Sequence, residues 1–124
     1  PDEIYDRPAS AFVAGFIGES SALPVRIETG RMLLEDRQVD VPVTDADGNR
    51  TLVFRPHDVE ITSRPGSIGG RVIAERRHGA SRRLDIEVGM RRHRTEVDVP
   101  ANGPRAQKGD KISFLPTKWW LFDA

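Results

Sequence analysis

The chain has 124 residues, and its 19 lysines and arginines are balanced by 19 aspartates and glutamates. A net charge of zero gives no global field toward nucleic acid or anionic lipid, and the absence of cysteine excludes disulfides, thiolate zinc sites and thiol catalysis. No apolar run nears the roughly 20 residues of a helical membrane span, and 37% hydrophobic residues support one modest core.

The sequence opens Pro1-Asp2-Glu3, with no initiator Met and no charged-then-apolar leader, so it is expected to be a piece of a longer protein. From Ile4 to Gly18 the apolar residues fall at helical spacing: Phe12, Val13, Phe16 and Ile17 share one face. Pro8 divides the region into two short helices, Ser10 is a suitable N-cap for the second, and Gly18 a suitable stop. A helix this short is marginal alone in water. Its stripe is expected to pack on a neighbouring domain or on the rest of this chain, so residues 1–20 read as a helical tail and the four apolar residues as interface candidates.

Beyond Gly18 the period becomes two. Val39, Val41 and Val43 alternate with polar residues or proline. So do Leu84, Ile86 and Val88, then Val97 and Val99, then Ile112 and Phe114. Turn signals separate these runs at Asp47-Gly48-Asn49, Pro65-Gly66, Gly69-Gly70, His78-Gly79, Asn102-Gly103-Pro104 and Gly109-Asp110. The pattern predicts a mainly β domain over residues 21–124, a small antiparallel barrel or sandwich. Asp45-Ala46-Asp47-Gly48-Asn49 suits a hairpin turn; as a calcium loop it lacks the closing Glu, since Pro56 stands at the twelfth position. Gly66-Ser67-Ile68-Gly69-Gly70 has no Lys-Ser/Thr ending for a nucleotide and reads as a flexible connector.

No pattern points to catalysis. His57, His78 and His93 are far apart and have no companion at metal-ligand spacing. There is no nucleophile elbow, HExxH or paired-carboxylate motif. Charge is uneven, however: between Arg71 and Arg94 lie eight arginines against three acids. Guanidinium forks recognise sulfate, phosphate and carboxylate, so Arg82 and Arg83 are candidate anion contacts, although charged residues on strands more commonly form a solvated outer face. Base stacking would need aromatics among these arginines, and there are none. Near the end, Trp119-Trp120-Leu121-Phe122 alternates so that Trp120 and Phe122 face one way, Trp119 and Leu121 the other. One pair is expected in the core. Trp119 and Leu121 are the candidates for a subunit or domain contact.

Glu3-Ile4-Tyr5-Asp6-Arg7-Pro8-Ala9 followed by Phe12-Val13-Ala14-Gly15-Phe16-Ile17-Gly18 resembles the stretch after the His loop of bacterial ABC importer ATPases. Phe54-Arg55-Pro56-His57-Asp58-Val59 is similar to the Arg-Pro-x-Asp-Val strand of their C-terminal domain, and Lys108-Gly109-Asp110-Lys111-Ile112 to its final Gly-Asp turn. His57 in that motif is most like the sulfate/thiosulfate importers. The resemblance implies an OB-like, TOBE-type β-barrel that regulates and dimerises the ATP-binding subunit. It also implies an ATPase domain in the same chain, a second copy as partner and membrane permeases as further partners. The location implied is the inner face of the cell membrane. The nucleotide loops have no match here, so ATP and Mg belong to the missing domain, and the fragment is expected to hold no cofactor and to be non-catalytic. Arg55, His57 and Asp58 become regulatory or anion-contacting candidates, with a corner-stabilising Arg55–Asp58 pair as the structural alternative.

Overall fold

The computed structural model describes residues 20–103 and 106–124. The two N-terminal helices expected from sequence, with Phe12, Val13, Phe16 and Ile17, lie outside the described residues. Ten strands follow, all antiparallel: β1 (Ser21–Glu28), β2 (Arg31–Leu34), β3 (Arg37–Val39), β4 (Gly48–Phe54), β5 (Val59–Ile61), β6 (Ile68–His78), β7 (Ser81–Val88), β8 (His93–Pro100), β9 (Lys111–Pro116) and β10 (Trp120–Asp123). They form two five-stranded sheets, in the order β10-β4-β1-β2-β3 and β5-β9-β6-β7-β8. The expected continuous barrel is corrected to two sheets with separate ladders, joined by a few bridging hydrogen bonds.

Alternation explains the strands. In β1, Leu23, Val25 and Ile27 are buried while Ala22, Pro24 and Arg26 are exposed. Pro24 is tolerated because β2 reaches only Arg26–Glu28 of β1, which leaves that flank of residue 24 without a ladder to supply. Thr29 and Gly30 both have positive φ, as a two-residue hairpin turn of matching twist requires. Leu23, Leu52 and Phe54 from the first sheet meet Val72, Leu84, Ile86 and Phe114 from the second in one core. The rings of Phe54 and Phe114 lie 5.7 Å apart across it.

Three local expectations change. The Val39–Val43 run is not one strand: β3 stops at Val39, where Val41 N–H donates back to Val39 O at 2.9 Å and Asp40 N–H turns to Gly66 O at 2.9 Å. Pro42 has no N–H to extend a ladder. Val39 and Val41 are nevertheless both buried, so the alternation reported burial rather than strand. The Asp47-Gly48-Asn49 segment is no hairpin turn either, because β4 pairs with β1 and β10 and not with β3; Asp47 instead accepts the Thr29 N–H at 2.9 Å. Gly69 and Gly70 belong to β6 rather than to a flexible connector. At Gly70 a Cβ would stand 2.3 Å from Ile86 Cγ2 and 2.7 Å from Glu87 O, so only glycine lets β6 lie this close to β7.

One side chain joins the sheets. Ser21 Oγ donates to Glu96 O at 2.7 Å and accepts from Glu96 N–H at 3.0 Å, while Asp98 N–H donates to Pro56 O at 2.8 Å. Beside these contacts Thr95 Oγ1 is buried with no hydrogen-bond partner among the described residues. Thr95→Val keeps the β-branched shape and removes that hydroxyl, so it is expected to stabilise the fold by about 1 kcal/mol, read as a higher urea midpoint at unchanged slope.

Candidate functional site

The Arg55–Asp58 corner leaves β4 and enters β5. Asp58 N–H donates to Arg55 O at 2.9 Å, closing the turn, and Thr117 N–H donates to Asp58 O at 2.8 Å, tying it to the β9–β10 connection. The Asp58 carboxylate stands 3.7 Å from His57 Nε2, whose side chain is exposed. The Arg55 guanidinium lies over the Trp120 ring, 5.8 Å from its centre, with the Lys118 ammonium at 5.7 Å.

The arginine-rich region is β6, β7 and their flanking turns, and strand register gives most of its guanidiniums a partner. Arg83 lies opposite Asp98 across β7 and β8. Its Nε and terminal nitrogen grip the two carboxylate oxygens at 2.7 and 3.0 Å. These side chains are only 3% and 7% exposed, and the fork geometry matches the carboxylate. Arg76 reaches Glu96 at 2.9 Å and Asp85 at 3.4 Å, and the Glu96 carboxylate holds its guanidinium still more firmly protonated. Arg82 stands 3.6 Å from Glu75, and Arg71 donates to Gly109 O at 2.7 Å. Arg77, Arg91, Arg92 and Arg94 form no ion pair among the described residues, but they are split: Arg77 is near the β6–β7 turn, the others at or after the β7–β8 turn. The local excess of five therefore does not converge on one point, and Arg82 and Arg83, the two selected from sequence, each face a carboxylate.

Sequence reasoning missed Glu35. It sits with Asp36 at positive φ in the β2–β3 turn and extends its carboxylate beneath the β7–β8 turn. Oε1 accepts the Met90 N–H at 2.7 Å and Oε2 the Arg91 N–H at 3.2 Å, while His93 Nε2 stands 3.2 Å from Oε2. Gly89 makes room, since a Cβ there would approach Glu35 Oε2 to 2.6 Å. Met90, at the tip, is 94% exposed. The cleft beside this latch is about 750 Å³ and includes Arg26, Arg50, Met90 and His93 in its lining. The Met90 and Arg91 N–H groups, followed by the His93 ring, hold the Glu35 carboxyl below the ordinary glutamate value of 4.5, against the opposing effect of desolvation. The folded chain thus holds that proton more weakly than the unfolded chain. The latch contribution is complete above pH 4.5 and is lost as pH falls through the lowered value. Glu35→Gln is expected to remove this part of the slope, so wild-type and variant urea midpoints should converge on acidification below that point.

The described residues contain no group of three or more His, Asp or Glu that could hold a metal ion. Among them no helix is long and apolar enough to cross a membrane. Trp119 and Leu121 are partly buried against the main core. Trp120 and Phe122 lie on the opposite face of their sheet, clustered with Val53.

No protein-family model matches the chain. Curated relatives do. The sulfate/thiosulfate import ATP-binding protein CysA of Brucella melitensis is 51% identical over 126 residues, covering 100% of this chain and 35% of that protein. The protein of the same name from Mesorhizobium japonicum is 47% identical, covering 99% and 36%, and that from Rhodopseudomonas palustris 39% identical, covering 98% and 36%. The two-sheet, all-β architecture fits the OB-like, TOBE-type domain implied by the sequence motifs. The chain belongs to the sulfate/thiosulfate import ATP-binding proteins of bacterial ABC importers, matching the C-terminal part and spanning about 35% of the relatives' length.

Proposed function

We propose that this chain is the C-terminal regulatory and dimerisation domain of the ATP-binding subunit of an ABC importer for sulfate or thiosulfate. The observation that carries this is the 51% identity extending over the whole chain and falling in the C-terminal part of the relative. In this role ATP and Mg are held by the preceding ATPase domain, and the partners are that domain, a second copy and the membrane permeases. The subunit then lies on the cytoplasmic face of the membrane through the permease. The ion-paired surface supports a scaffold that presents faces to other domains, with its charges mostly committed to one another.

A graft tests it. This chain replaces the corresponding part of the Brucella relative in a strain lacking its own sulfate importer ATPase. Restored growth on sulfate is expected, with no phosphate release when the 124-residue chain alone is given Mg-ATP. A chimera that folds and hydrolyses ATP but supports no uptake overturns the transport role; hydrolysis by the isolated chain overturns the non-catalytic one.

A further inference from the structure

Val53, Trp120 and Phe122 are 1%, 7% and 2% exposed, yet they form a cluster separate from the main core. Leu52, which alternates with Val53, belongs to that core, and Leu121, which alternates with Trp120 and Phe122, packs against it. The three therefore lie on the opposite face of the β10-β4-β1 half of the first sheet. Register makes the face continuous: Trp120 stands opposite Val53, Phe122 opposite Thr51, and Ala22 of β1 opposite Val53 on the other side. Among the described residues, β10 packs chiefly along β4 in its own sheet. Two large aromatic side chains so thoroughly removed from water on the far face of a sheet imply an apolar cover.

We infer that the cover is the segment Ser10–Ile17 of this same chain, so that Val53, Trp120 and Phe122 form its docking platform. Three observations meet here. The segment ends only a few residues before β1, and β1 begins beside β4, with Ser21 opposite Phe54 and Ala22 opposite Val53, so the chain enters the sheet at this very patch. Phe12, Val13, Phe16 and Ile17 recur at the spacing that gives one apolar helical stripe, matching the platform in chemistry. Such a stripe gains its stability from packing rather than from propensity, so a platform within a short tether captures it at high effective concentration. The docking stands without the transport proposal. If both hold, the segment is the mechanical tie through which the preceding ATPase domain is anchored to the first sheet, and its loss would uncouple the two parts while leaving each folded.

The test uses the whole chain with Trp119→Phe, which leaves Trp120 as the one tryptophan of the two present. Phe12→Asp with Phe16→Asp is expected to shift Trp120 emission to the red and raise its acrylamide quenching about threefold, the change of a ring passing from a buried to a wetted site. The β signature in circular dichroism should remain. Unchanged emission and quenching in the folded variant would overturn the inference. Quenching in the parent chain that falls as protein concentration rises would make the cover a second copy and overturn it equally. Should the aspartate variant fail to fold, Phe16→Cys with Thr51→Cys gives the answer in an otherwise cysteine-free chain: a short bis-maleimide is expected to link the two within one molecule, and linkage only between molecules, or none, overturns the docking.

Discussion

Asp98→Ala is expected to cost about 3–5 kcal/mol of folding stability, because it strands a buried guanidinium with no opposite charge. Arg83 is 3% exposed and both oxygens of Asp98 are engaged by its fork, so water cannot replace the lost carboxylate without opening the sheet. Domain stabilities run only about 5–15 kcal/mol, so this one change should bring the chain near its unfolding threshold. The double replacement Arg83→Met with Asp98→Leu removes both charges together and is expected to recover most of the loss, since the desolvation cost of the ion pair disappears with it. Urea titrations of the parent, the single variant and the double variant check this. A single variant as stable as the parent would mean that Arg83 finds another anion or reaches water. An Arg83 reserved for an external anion would show the reverse: unchanged stability, with altered anion binding.

Phe114→Ala should destabilise by a similar amount, about 3–5 kcal/mol, from lost burial plus the cavity left behind. Phe114 is 0% exposed, and its ring meets Phe54 at 5.7 Å from the opposite sheet. With separate ladders, the sheets are held together largely by side chains such as these. Phe54→Ala in the same chain should therefore cost less than the sum of the two single losses, since either change already removes the contact. Urea midpoints of the four chains measure that coupling; strict additivity would show that the rings contribute independently, each to its own sheet.

The sequence announced β7, β8 and β9 well, because Leu84, Ile86, Val88, Val97, Val99 and Phe114 are core residues of regular strands and alternate without interruption. It was misleading at Val39–Val43, where alternation survives although the ladder ends, since the period of two records which side chains face inward and not where the backbone bonds go. Gly69-Gly70 looked like punctuation, but a glycine demanded by a close backbone approach has the same letter as one demanded by a turn. The split of Trp120 and Phe122 from Trp119 and Leu121 was legible, but its meaning was not: the far face holds the well-buried pair, and Trp119 and Leu121, offered from sequence as contact residues, pack against the core.

The candidate site shows the same division. Composition revealed an arginine excess, but whether a guanidinium is committed depends on cross-strand register. Asp98 meets Arg83 from 15 residues away, and Glu96 meets Arg76 from 20. Glu35 was invisible for a related reason, being 55 residues from the Met90 amide that it receives. A positive φ at a non-glycine turn residue is the sort of signal that backbone geometry alone discloses.

The double bond of Ser21 to Glu96 has a consequence for how this molecule behaves when crowded. β8 is an outer strand of its sheet, and a bare strand margin invites another polypeptide to add on and begin a fibril. One hydroxyl occupies both the amide and the carbonyl of Glu96, while Pro56 takes the amide of Asp98, so the middle of that margin is already satisfied. Solubility at high concentration thus depends in part on a single serine, a dependence that no inspection of surface charge would reveal.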